Sequence, residues 1–103
     1  MSVLLNFSIF PLGEGTSVSK YVSEVLDMVR ASGVAYKLNP MGTSIETETM
    51  HEALSIVQRA HDILEPNADR IYSAITIDSQ KGKSNRIETK TASVEARIGK
   101  LNK

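Results

Sequence analysis

The apolar residues of this chain switch between two spacings, and the order of the switches constrains the fold more tightly than any motif. Val3, Leu5, Phe7 and Ile9 alternate with Asn6 and Ser8, a period of two that predicts a strand over Val3–Phe10. Pro11 and Gly13 end it. Val18, Tyr21, Val22, Val25, Leu26 and Val29 then recur at steps of three and four, which predicts one face of a helix. Thr16 or Ser17 can cap its start, and Gly33 can stop it in the left-handed conformation. Val34–Asn39 and Thr43–Glu48 read as short strands joined across Pro40-Met41-Gly42, the pattern of a hairpin. Thr49-Met50-His51-Glu52 has the capping-box spacing. A second helical stripe follows, Met50, Ala53, Leu54, Val57, Ala60 and Leu64, and stops at Pro66 and Asn67. Arg70–Asp78 alternates again, with Ile71, Ile75 and Ile77 on one side.

The succession β-α-β-β-α-β predicts an α+β protein of ferredoxin-like topology, with a four-stranded antiparallel sheet and both helices on one face. The expected open face carries Leu4, Asn6, Ser8, Phe10, Tyr72, Ala74 and Thr76. A half-apolar face of that kind calls for a partner or a ligand. After the polar loop Ser79–Arg86, the residues Ile87, Thr91, Val94, Ile98 and Leu101 form a narrow helical stripe. This C-terminal helix has two possible seats: a neighbouring copy, or its own chain.

At 103 residues the sequence suits one domain spanning 1–103, small enough for self-association to add stability. Twelve basic residues balance twelve acidic ones, which argues against nucleic acid and against anionic membranes as partners. Cysteine is absent, so disulfides, thiolate catalysis and cysteine-bound metals are excluded. No apolar run reaches the roughly 20 residues of a membrane span, and the N-terminus lacks the basic start of a signal peptide. The expected location is cytoplasmic. His51 and His61 lie ten apart, neither with a metal-spaced partner, and both read as surface or boundary residues.

Two stretches could carry chemistry. Gly13-Glu14-Gly15-Thr16-Ser17 joins strand to helix, where free backbone N–H groups gather. It lacks the third glycine of a dinucleotide fingerprint. Glu14 is either solvated or aimed at a ligand. In Pro40–Glu48, Gly42 permits a bend; alternation sends Thr43, Ile45 and Thr47 to one side and Ser44, Glu46 and Glu48 to the other. Paired carboxylates serve acid–base work, hard cations or amino-bearing ligands, and they also keep strands soluble. No nucleophile–base pair accompanies them, which argues against an enzyme. The aromatic signature of an RNA-recognition module is missing from the central strands. Tyr36, Tyr72 and Phe10 lie on strands, where rings pack across the sheet.

Read in order, Phe10-Pro11-Leu12-Gly13-Glu14-Gly15-Thr16-Ser17, Tyr21-Val22, Ser32-Gly33-Val34-Ala35-Tyr36, Pro40-Met41-Gly42-Thr43-Ser44-Ile45-Glu46, Asp69-Arg70-Ile71-Tyr72, Ile75-Thr76-Ile77-Asp78 and Lys90-Thr91-Ala92-Ser93-Val94 resemble the small thiamine-binding proteins. The chain departs at Thr47, where the family often has glycine. The resemblance implies a ferredoxin-like fold assembling into dimers and tetramers, non-catalytic binding of thiamine or its hydroxymethylpyrimidine portion, and no cofactor beyond that ligand. It points to Met41, Ile45, Phe10 and Tyr36 as walls, Ser8 and Thr43 for the pyrimidine edge beside the bend at Gly42, and Glu46 or Glu14 for the cation. The alternative reading is an oligomeric regulatory or scaffold protein that takes another small effector.

Overall fold

The computed structural model describes residues 1–13 and 18–102, apart from the Val18 side chain. The elements run β1 (Ser2–Pro11), α1 (Val18–Ser32), β2 (Ala35–Asn39), β3 (Gly42–Thr47), α2 (Met50–Leu64), a 3-10 turn at Glu65–Asn67, β4 (Ile71–Gln80) and α3 (Arg86–Ile98). The strands form one antiparallel sheet in the order β2-β3-β1-β4, the ferredoxin-like arrangement expected from the sequence. No helix is long and apolar enough to cross a membrane among the described residues.

Alternation sets the core. Val3, Leu5, Phe7 and Ile9 of β1 are buried, together with Ile45 of β3, against Tyr21, Val25 and Val29 of α1 and Ala53, Ile56, Ala60 and Leu64 of α2. Leu5 pairs with Ile45 and with Ile77, so one row of side chains crosses the sheet beneath the helices. Gly33 stops α1 at φ 83°, a conformation that any Cβ would strain. The proposed α1 caps, Thr16 and Ser17, lie outside the described residues.

Two expectations for α2 change. The buried stripe is Ala53, Ile56, Ala60 and Leu64, while Met50 and Leu54 are exposed. Both stripes satisfy helical spacing, and the helix rolls toward Ile56 because that face meets the sheet. At its start the Thr49 hydroxyl oxygen accepts from the Glu52 N–H at 3.1 Å, as a cap should. The Glu52 carboxylate, however, accepts from that same hydroxyl at 2.9 Å, rather than from the Thr49 backbone.

Helix α3 takes a seat in its own chain. Its first turn reaches β1, β2 and β3 on the side away from α1 and α2. Val94 and Ile98 stay exposed farther along. At the sheet edge, β4 is uncovered along almost its whole length: Ile75 and Ile77 face the helix side yet remain 40% exposed. On the open face Phe10 and Tyr72, a cross-strand pair, bring their rings to 5.6 Å.

Candidate functional site

A cleft of about 330 Å³ opens where the sheet loses a strand. The β1–β3 ladder runs from Val3–Thr47 to Phe7–Thr43 and stops there. From Ser8 onward β1 continues only with β4, so its other edge has no strand partner among the described residues. The gap is closed on the remaining sides by α1 and by the β2–β3 turn. Val22, Val25, Leu26, Leu38, Pro40 and Met41 supply apolar wall. Because the cleft runs along a strand edge, both faces of β1 reach it: Phe7 and Ile9 from the helix side, Ser8 and Phe10 from the other.

The turn that frames this cleft is held locally. Asn39 pairs with Gly42 across the two-residue link, and the Asn39 side-chain oxygen accepts from the Met41 N–H at 2.9 Å. Met41 stands 83% exposed at the rim. Gly42 is needed for close approach: a Cβ there would lie 2.8 Å from the Phe7 carbonyl oxygen. Any side chain at 42 therefore forces the backbone to shift where β3 meets β1.

Polar capacity in the lining is uncharged. It comes from Ser8, Asn39 and Thr43, and no carboxylate, histidine or lysine lines the cleft among the described residues. Such a lining has hydrogen-bonding groups to orient a flat heterocycle between apolar walls, and lacks a base to activate a nucleophile.

Of the residues singled out in the sequence, Ser8, Phe10, Met41, Gly42 and Thr43 meet in this cleft. Ile45 does not: it is wholly buried beneath the helices. Tyr36, opposite Ile45 in the ladder, lies in a shallower depression with Ser23, Leu26, Asp27 and Arg30. Glu14 lies outside the described residues.

Glu46 is the main departure. Its carboxylate accepts from the Ser2 hydroxyl at 2.5 Å and from the N–H groups of Arg86 and Ile87 at 3.0 and 3.1 Å. It therefore caps α3 from across the sheet. Asn85, the residue in the cap position, has φ 54° and makes no side-chain cap bond. Burial pushes the Glu46 carboxyl upward, but the bonds from Ser2, Arg86 and Ile87 and the Arg86 charge outweigh it and hold it below its ordinary value.

The residue that sequence reasoning missed is Arg86. It is 3% exposed, and its guanidinium donates to the Ser2 hydroxyl and carbonyl, each at 2.9 Å, and to the Asp78 carboxylate and carbonyl at 2.8 and 2.6 Å. Lys90 adds a bond to Asp78 at 3.3 Å. Bonds from Arg86 first, then Lys90, hold the Asp78 carboxyl below its ordinary value. Arg86 stands at the end of the stretch read as a polar loop, and its place in the first turn of α3 emerges only in the structure. Leu38 and Asn39 were also missed as cleft residues, although they adjoin the flagged Pro40-Met41 link.

A family model described as thiamine-binding protein matches residues 5–95. A UPF0045 protein of Mycobacterium bovis is 38% identical over 95 residues, covering 92% of this chain and 93% of its own length. The crystal structure of a hypothetical protein from Methanocaldococcus jannaschii superimposes with TM-score 0.80 at 35% identity, covering 90% of this chain and 95% of that one. A Thermotoga maritima protein provisionally assigned to thiamine biosynthesis or salvage shares the fold, with TM-score 0.78 at 22% identity over 91% of this chain and 99% of that one. A family match across most of the chain and relatives above 30% identity along nine-tenths of it lead to one conclusion: this chain belongs to the thiamine-binding protein family.

Proposed function

We propose that this chain binds thiamine, or a related hydroxymethylpyrimidine compound, in the cleft between β1, α1 and the β2–β3 turn, and does so without chemically transforming it. The observation that carries the reading is the lining: apolar side chains from β1, α1 and the β2–β3 turn, with Ser8, Asn39 and Thr43 as the side-chain hydrogen-bonding groups. An aminopyrimidine ring offers a flat apolar face and a polar edge, which match those two kinds of surface. The lack of carboxylate and histidine in the described lining supports binding over catalysis. Supply, storage or sensing of the ligand are roles such a binder serves.

Self-association to a dimer or tetramer is part of the same proposal. The uncovered edge strand β4, with Tyr72, Ile75 and Ile77 exposed, is a surface that a second copy would shelter.

A thermal-shift and calorimetric screen with thiamine, its mono- and diphosphate and free hydroxymethylpyrimidine tests the proposal. Binding to the folded state raises the melting temperature with ligand concentration. Saturable binding of thiamine or the pyrimidine, with the compound recovered unchanged, is the expected result. No shift with any of the four would overturn it, and a shift with an unrelated effector would favour the regulatory alternative.

A further inference from the structure

The last turn of α2 holds a side-chain cluster remote from the cleft. His61, Asp62 and Glu65 each place one ligand-type atom within 4.8 Å of the others. His61 Nδ1 is shut off from solvent and has no hydrogen-bond partner, the only side-chain polar atom in that condition among the described residues that are not exposed. It lies 3.3 Å from a Glu65 carboxylate oxygen and 3.9 Å from one of Asp62. We propose that His61, Asp62 and Glu65 form a binding site for a divalent transition metal of the zinc class, with His61 Nδ1 as its nitrogen ligand.

The spacing suits the task. Residues four apart stand over one another on a helix, so His61 and Glu65 face the same ion without distorting the backbone. In a tetrahedral shell with bonds of about 2.0–2.1 Å, neighbouring ligand atoms sit about 3.3–3.4 Å apart. His61 and Glu65 already stand at that separation, and a modest rotation of Asp62 completes the third corner.

The surroundings agree with a cation. The site is at the C-terminal end of α2, where backbone carbonyls present partial negative charge. Gln58 Nε2 donates to Asp62 Oδ1 at 2.9 Å, the outer bond that orients a ligating carboxylate. The side chains are 43%, 58% and 65% exposed, so the two carboxylates can adjust around an ion. A nitrogen ligand with two carboxylates selects zinc, cobalt or nickel over magnesium or calcium, which prefer oxygen throughout. The expectation that His61 has no metal-spaced partner is corrected by Glu65, four residues on along the helix.

The alternative is a plain His61–Glu65 contact with no ion, and metal titration separates the two. Zinc and cobalt(II) chloride are titrated into the full chain at neutral pH against a chromophoric chelator, with cobalt absorption reporting geometry. One metal per chain is expected, with ligand-field bands for a nitrogen–oxygen site. His61→Ala should abolish binding, and Glu65→Gln should weaken it strongly while leaving circular dichroism unchanged. Gln58→Ala should weaken it about tenfold, and His51→Ala should leave it intact. Absence of saturable binding, or binding that survives His61→Ala, overturns the proposal. Its outcome is independent of the cleft, whose lining includes none of these residues.

Discussion

The two ends of β1 present opposite solutions to the same problem, a central strand running past its neighbour. At the Ser2 end, β1 meets Glu46, Asp78 and Arg86, and the polar groups of that cluster are engaged with one another. At the Ser8–Phe10 end the partner strand stops, and the space is lined by apolar side chains with three uncharged polar ones. Charge is spent on folding where α3 must be held, and the polar side chains that line the opening are neutral. Carboxylates near a candidate site are thus poor guides to ligand binding until their partners are known.

The largest expected effect tests the charged end. Arg86→Ala removes a buried guanidinium with bonds to Ser2 and Asp78, and should cost about 3 kcal/mol in urea or thermal unfolding. Ligand affinity, measured below the melting transition, should be unchanged. A large loss of affinity in a folded variant would break the separation between the two ends.

Glu46→Gln should cost about 1–2 kcal/mol, because an amide keeps one acceptor oxygen but loses the charge that caps two N–H groups. Affinity should again be unaffected, contrary to the ligand role suggested by its place in the sequence. Weakened binding at unchanged melting temperature would restore that role.

Acid probes the same network. The Glu46 and Asp78 carboxyls are held below 4.5 and 3.8, their ordinary values, so the folded state is the weaker proton binder. Their contribution is full above those values and is lost as pH falls through the lowered folded ones. Unfolding midpoints measured from neutral pH down to pH ~3 should decline in that window, and Glu46→Gln should flatten the decline. An identical decline in the variant would assign acid sensitivity elsewhere.

The smallest effect belongs to the cleft. Ser8→Ala should leave stability within about 0.5 kcal/mol and weaken ligand binding by about 1 kcal/mol, roughly fivefold, as one hydrogen bond is lost. Calorimetry on the folded variant checks it. No change in affinity would move the ligand's polar edge toward Asn39 or Thr43.

Neighbours two to four residues apart were enough to read β1, both central helices, the hairpin and the shared side of Thr43, Ile45 and Thr47, because strand and helix periods are local properties of the chain. The family resemblance added the region of the turn, and Ser8, Phe10, Met41, Gly42 and Thr43 do meet in one cleft. Tertiary structure alone decided the rest. Glu46 and Arg86 are 40 positions apart, so no local pattern announces that one caps the helix the other begins. The roll of α2 toward Ile56 depended on which of two adequate stripes met the sheet. The cleft exists because the β1–β3 ladder ends at Phe7 and Thr43 while β1 runs on, a mismatch of strand lengths that appears only once the strands are paired.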